Sequence, residues 1–364
     1  MLVVIFLGAG ASAPFGYPTM DGLQSQLMNR VQDKERGLLL GLPSLGGNKD
    51  VEVVLQHLDA IEGLTDRGLG EIFEKSWVEF SVLGKKQTMG FPELIKLCRS
   101  LRETIQDTIF DVYQFRPKSA ENFQLYGQFF STLASITRAR ELHVYTTNYD
   151  RIIEEFGVRN DGYQVVDGFQ HDEKTGRYLW KPSSFDSPLP DVGRPLKLFK
   201  LHGSLTWKSG ENGIERVTSA EIRLKQPTTI LKKDMLIYPG SKEPPEQEPF
   251  RTLYERFETQ MKETDRCLVI GFSFRDPYLN RVFRDFVYSG RGELLVMSKN
   301  CGQVVAKNLL DLRQATKLED YLDRKNVALI PFHFGEGDWF TAFQNALYKL
   351  PFPIEKPSTG GPGK

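Results

Sequence analysis

The chain has 364 residues, 40% hydrophobic and 26% charged, which are the proportions of a soluble globular protein holding one large domain or two ordinary ones. Lys+Arg and Asp+Glu both number 47, so no global basic field argues for nucleic acid, and no direct nucleic-acid site is evident. No apolar run reaches membrane-spanning length, the Leu2–Leu7 run is too short for a signal peptide, and Cys98, Cys267 and Cys301 form no CxxC pair, which excludes a sequence-local zinc ribbon and fits a reduced, cytoplasmic protein.

Met1–Leu7 is an unbroken apolar, β-branched run of the kind a central parallel strand requires. It leads into Gly8-Ala9-Gly10-Ala11-Ser12-Ala13, a GxGxxA turn. The glycines let the backbone turn and approach a phosphate, and a following helix would offer free N–H groups to an anion. A tight strand–helix turn without ligand is the alternative. A dinucleotide-binding dehydrogenase would next show a second strand ending in an acidic residue. Val31–Gly47 shows none, which counts against hydride transfer.

Asp50–Ile61, Phe91–Val112 and Asn122–Thr137 have apolar residues at helical spacing, with Asp50 as N-cap and Pro92 in a first turn. A mostly helical insertion over about 51–139 is therefore expected. Glu141–Val144 approaches a buried strand, and Tyr145-Thr146-Thr147-Asn148-Tyr149-Asp150 follows it, ahead of a helical Arg151–Phe156. Asn148 and Asp150 thus sit at a strand's carboxyl end, where open α/β sheets bind ligands. On these six residues alone, simple capping of the next helix is the stronger explanation, and the other strand-end turns shift that balance.

Tyr163–Val166 and Arg177–Trp180 could pair around a turn at Asp172–Gly176. Leu196–Leu201 is a strand entering His202-Gly203-Ser204. A histidine there is held by the strand yet open on one side, a good position for a general base, although a structural histidine bonded to backbone would look the same. Phe250–Glu263 reads as a helix. Arg266–Phe274 reads as a strand entering the Gly271-Phe272-Ser273 turn, with Arg275-Asp276-Pro277 starting a helix. Gly290–Ser298 and Val327–Phe332 supply two more strands, and Pro351–Lys364 is a Pro/Gly-rich tail expected to be disordered. The expected architecture is α/β: a Rossmann-like parallel sheet with flanking helices and the helical insertion, one domain over 1–350.

The glycine turn, the Asn-x-Asp, the Leu-His-Gly and the late Gly-x-Ser, in that order over about residues 1–300, together resemble the sirtuin (silent information regulator) superfamily. The details are most similar to prokaryotic sirtuin-like domains of antiphage defence systems. That resemblance implies hydrolysis of NAD+ to nicotinamide and ADP-ribose, with NAD+ as substrate and no metal. It implies Asn148 and His202 as catalytic residues, and Asp150 would polarise the amide or the nicotinamide carboxamide. Gly8, Ala9, Gly10 and Ser12 would take the pyrophosphate, Gly271 and Ser273 would face the adenosine ribose, and Thr147, Gly203 and Ser204 complete the binding set. A homo-oligomer, and a separately encoded partner such as a HerA-type ring ATPase, are implied too. Two departures stand against protein deacylation: the four-cysteine ribbon is missing, and Tyr17-Pro18-Thr19-Met20-Asp21 carries no arginine where deacylases have Pro-x-Phe-Arg. An NAD-dependent deacylase and a non-catalytic NAD or ADP-ribose sensing subunit are the alternatives.

Overall fold

In the computed structural model the described residues are 2–42, 51–64, 77–82, 85–114, 122–187, 193–217, 236, 244–310 and 327–349. The C-terminal tail, the Asp50 cap and part of the Pro239–Pro245 loop lie outside them. Elements in chain order are β1 (Val3–Leu7), α1 (Met20–Met28), α2 (Asp33–Gly41), α3 (Val51–Leu64), β2 (Trp77–Val82), β3 (Lys85–Gly90), α4 (Phe91–Tyr113), α5 (Asn122–Thr137), β4 (Leu142–Thr146) and α6 (Ile152–Arg159). There follow β5 (Tyr163–Val166), β6 (Phe169–Asp172), β7 (Arg177–Trp180), β8 (Arg194–Lys200), β9 (Trp207–Gly210) and β10 (Gly213–Arg216). The chain then forms α7 (Phe250–Glu263), β11 (Arg266–Ile270), α8 (Pro277–Ser289), β12 (Glu293–Met297), α9 (Cys301–Val304), β13 (Val327–Ile330) and α10 (Trp339–Lys349).

Seven strands form one parallel sheet in the order β13-β12-β11-β1-β4-β8-β5. β1 lies between β11 and β4, so chain progression reverses direction on either side of it. In open α/β sheets that reversal opens a crevice at the strands' carboxyl ends. The unbroken apolar reading of β1 has a direct cause: both of its faces are covered. Val3, Ile5 and Leu7 join a core cluster that includes residues of α1 to α6 and α10, while Val4 and Phe6 join residues of α7 and α8 on the other face. Phe6 alone meets Phe272, Phe283 and Phe257 at ring-centroid distances of 4.8, 5.0 and 5.5 Å. Burying such a ring contributes roughly 1.5–3 kcal/mol.

One expectation is corrected. β5 does not pair with β7; it joins the main sheet as an edge, parallel to β8, and β7 pairs with β6 across the expected turn. With β9 and β10 these form a second, antiparallel sheet ordered β6-β7-β10-β9. The segment before β4 also contains an antiparallel hairpin, β2–β3, between its helices.

Candidate functional site

The carboxyl ends of β11, β1, β4 and β8 converge on a cavity of about 350 Å³. The turn after β1 is not the start of an α-helix. It makes two short 3₁₀ turns, Ala9–Ala11 and Ala13–Phe15, ended by Gly16 at φ +80°, and α1 begins only at Met20. Pro14 sits in the second of these turns, and with no N–H it cannot extend an α-helical ladder. Nor does the turn present a row of free donors. The N–H groups of Gly8, Gly10, Ala11 and Ser12 donate to Ile270, Gly271, Gly8 and Ala9 carbonyls at 2.9–3.1 Å. The Ala9 N–H makes no such bond, and Ala9 lines the cavity. The expected cradle of Gly8, Gly10 and Ser12 amides is therefore committed within the protein.

The glycines serve a different purpose. A Cβ on Gly8 would lie 2.5 Å from Phe272 Cα, and one on Gly10 would lie 2.7 Å from Gly271 Cα. They let the β1 and β11 turns touch backbone to backbone, which closes the crevice floor.

The Thr146–Asp150 turn divides its work by residue. Thr146 Oγ1 donates to the Leu7 carbonyl at 2.9 Å and accepts the Asn148 N–H at 3.0 Å, latching β4 to β1. Asn148 Nδ2 donates twice, to the Gly8 carbonyl and to Ser12 Oγ, both at 2.9 Å. A backbone carbonyl can only accept, so the amide's orientation is fixed and Oδ1 is left as its unshared acceptor. Ser12 Oγ in turn donates to Asp150 Oδ2 at 2.6 Å, so its hydroxyl proton is committed and cannot serve a phosphate. Asp150 Oδ1 accepts the Ile152 N–H at 3.0 Å. Asp150 precedes the N-cap, Arg151, which has no side-chain cap bond; it holds the first helical N–H and anchors an Asp150–Ser12–Asn148 chain as well.

Asp150 is buried, and that burial raises its carboxyl above the ordinary range, while the charge of Lys200 and the Ser12 hydrogen bond oppose the rise. Lys200, itself buried near the end of β8, donates to the Asp150 carbonyl oxygen and to Glu154 Oε1, tying the β8 end to the β4–α6 turn.

His202 lines the cavity but is not open to solvent as expected; its side chain is 2% exposed. Its Nε2 lies 3.2 Å from Asp276 Oδ2, and its Nδ1 has no hydrogen-bond partner. Ala9, Gly10, Ser12, Thr147, Gly271 and Ser273 also line the cavity, together with Asn148 and Asp150. Gly8, Gly203 and Ser204 do not. Ser204 is fully buried and exchanges a hydrogen bond with Thr206 at 3.0 Å, and Gly203, at φ +87°, makes the reversal that ends the strand.

Arg275, Asp276, Tyr113 and His333 line the cavity without having been picked out as site residues. Asp276 carried a signal, an acidic residue before Pro277 directly after a strand-end turn, but its capping role absorbed it. His333 and Tyr113 reach the cavity from distant elements, and no local pattern marks them. Among the described residues no group of His, Cys, Asp and Glu could hold a metal, the three cysteines are buried and unpaired, and no helix is long and apolar enough to cross a membrane.

The Ser12 chain makes a specific expectation. Ser12→Ala removes one of two bonds that hold Asn148 and leaves the buried Asp150 without its hydroxyl donor. Loss of a hydrogen bond to a charged group costs about 1.5–3 kcal/mol. A fall in melting temperature with a partial loss of activity is expected, smaller than for changes at Asn148, because the Gly8 bond remains.

A family model described as "SIR2-like domain" matches residues 142–300, which include the turns after β4, β8 and β11 but not the one after β1. No curated protein matches. Among solved structures, a Sir2 homologue variant in complex with 2′-O-acetyl ADP ribose aligns at 15% identity over 97% of this chain and 94% of its own, with a TM-score of 0.42. A Sir2 homologue–NAD complex aligns at 14% identity over 96% and 90%, with a TM-score of 0.38. A Sir2 homologue variant bound to ADP ribose aligns at 14% over 95% and 92%, with a TM-score of 0.40.

Proposed function

We propose that the cavity binds NAD+ and cleaves its nicotinamide–ribose bond, releasing nicotinamide and ADP-ribose. The observation that carries this reading is the amide of Asn148, fixed by two donated bonds so that its Oδ1 is an unshared acceptor at a cavity that His202 also lines. A neutral amide acceptor suits hydroxyl and water O–H groups, which is what a ribose diol and an attacking water supply. Arg275 gives the cavity a cation suited to a pyrophosphate, and the Ala9 N–H adds a donor. The position at the sheet's reversal point is where nucleotides bind in such folds. The SIR2-like match over 142–300 supports the same substrate class.

In this reading Asn148 Oδ1 orients a ribose hydroxyl or the water, and His202 accepts the proton released as oxygen attacks. Asp150 acts through Ser12, keeping Asn148 in place. The resemblance to antiphage sirtuin-like domains further suggests an NAD+-depleting effector restrained by self-assembly or by a separately encoded ring ATPase.

Incubation of the purified protein with NAD+ alone should yield equal amounts of nicotinamide and ADP-ribose. Nicotinamide released only when an acylated peptide is added would establish a deacylase instead. Binding without release, in the presence of either addition, would establish a sensing subunit.

A further inference from the structure

Asp276 uses its two oxygens for different tasks. Oδ1 accepts the Leu279 N–H at 2.9 Å and caps α8. Oδ2 meets His202 Nε2 at 3.2 Å, with both side chains almost fully buried. This is the one hydrogen bond the imidazole makes, although Asp150, Arg275 and His333 line the same cavity.

We propose that Asp276 is the positioning residue of the site. By accepting the His202 Nε2–H it holds the ring as the Nε2–H tautomer, so that Nδ1, unpartnered and itself shielded from solvent, is the nitrogen left to act as the base. The proposal rests on the NAD+-cleavage reading for its catalytic consequence. In the step it serves, the water O–H bond breaks, its proton goes to Nδ1, and its electron pair forms the new bond to the ribose carbon. The carbon–nitrogen bond breaks with its pair passing to the nicotinamide ring, which leaves neutral. The imidazolium so formed keeps its Nε2–H on Asp276.

The turn that delivers Asp276 is held in an unusual backbone shape for this purpose. Phe274 is a buried non-glycine residue at φ +52°. Such a conformation persists only where the surroundings over-determine it, and it collects at functional sites. Here Asn280 Nδ2 donates to the Phe274 carbonyl at 2.5 Å, and Asn308 Nδ2 donates to the Ser273 carbonyl at 2.8 Å. The ring of Phe274 is clamped against Phe272 and Phe283 at centroid distances of 5.1 and 5.2 Å. Helix capping alone would need only an Asp before Pro277. The pinned, left-handed residue two positions earlier fixes where the second oxygen falls.

The discriminating variant is Asp276→Asn. The Leu279 N–H can only donate, so the amide must turn its oxygen there to keep the cap, and its NH2 then donates to His202 Nε2. That forces the Nδ1–H tautomer and removes the base while leaving shape and cap intact. Nitrogen-15 spectra of the imidazoles, with His202 assigned by the signal missing in His202→Ala, should show Nε2–H in the unmodified protein and Nδ1–H in Asp276→Asn. Melting temperature and KM should change little while kcat falls about 10²–10⁴-fold, the scale of a wrong tautomer in a histidine–carboxylate pair. An Nδ1–H tautomer in the unmodified protein, or full kcat in a correctly folded Asp276→Asn, would overturn the proposal. The tautomer measurement needs no turnover. A protein that cleaves no NAD+ but shows the expected tautomers refutes the function and keeps the positioning role.

Discussion

Replacing Asn148 by alanine is expected to leave NAD+ bound and to lower nicotinamide release by about 10²–10⁴-fold, the range for loss of a key orienting or acid–base group. The side chain is half-buried at the cavity wall, so truncation costs little packing. The backbone bond from the Asn148 N–H to Thr146 Oγ1 does not depend on the side chain and keeps the turn in register. What disappears is the one acceptor that the Gly8 carbonyl and Ser12 hold in place. Asn148→Asp should be no better. A carboxylate has no N–H for the Gly8 carbonyl, and its charge would face that oxygen and the buried Asp150 through Ser12. Calorimetric affinity and chromatographic nicotinamide release, measured on the same preparations, check both variants. Undiminished release from Asn148→Ala would return the residue to a purely structural role and remove the main support for cleavage.

The strands of this fold were legible because physics leaves them little choice. β1, β4, β11 and β12 are buried along their whole length; β1 is apolar throughout, and β11 and β12 are apolar after a first charged residue, so the turns that follow them could be placed at strand ends from the sequence. β5 was misread for the opposite reason. Its four residues are all half-buried and alternate weakly, which looks like one arm of a local hairpin, and strands adjacent in sequence do usually pair. Its actual partner, β8, lies beyond two intervening strands.

Within the site, residue type was legible and role was less so. That Asn148, Asp150 and His202 gather at one cavity follows from strand order. That Ser12 is a link between Asp150 and Asn148, and no phosphate ligand through its hydroxyl, depends on a contact 138 residues apart in sequence. The same holds for Asp276, whose partner His202 is 74 residues away. Sequence spacing reports neighbours on one element. It is silent on which side chains from different strand ends meet.

The other large effect is expected at Gly271, and it separates two roles that a glycine-rich turn can have. Gly271 has φ +63°, and a Cβ there would fall 2.4 Å from Gly10 Cα and 2.5 Å from Gly10 C. Both obstacles are backbone, so neither can rotate aside, and the β1 and β11 turns would have to part. Gly176 is the matched control: φ is +67°, but nothing lies within 4 Å of its Cβ position. Gly176→Ala therefore reports conformational strain alone, about 1–2 kcal/mol. Gly271→Ala adds an overpacking term of about 1–3 kcal/mol or more. A loss of roughly 2–5 kcal/mol is then a large share of a typical domain's stability. Denaturant midpoints of the two variants, at matched slope, give the difference directly. A much larger loss at Gly271 assigns the glycines of both turns to mutual backbone contact. Equal losses would mean that the turns can separate at little cost, and that Gly8 and Gly10 are present for ligand approach after all.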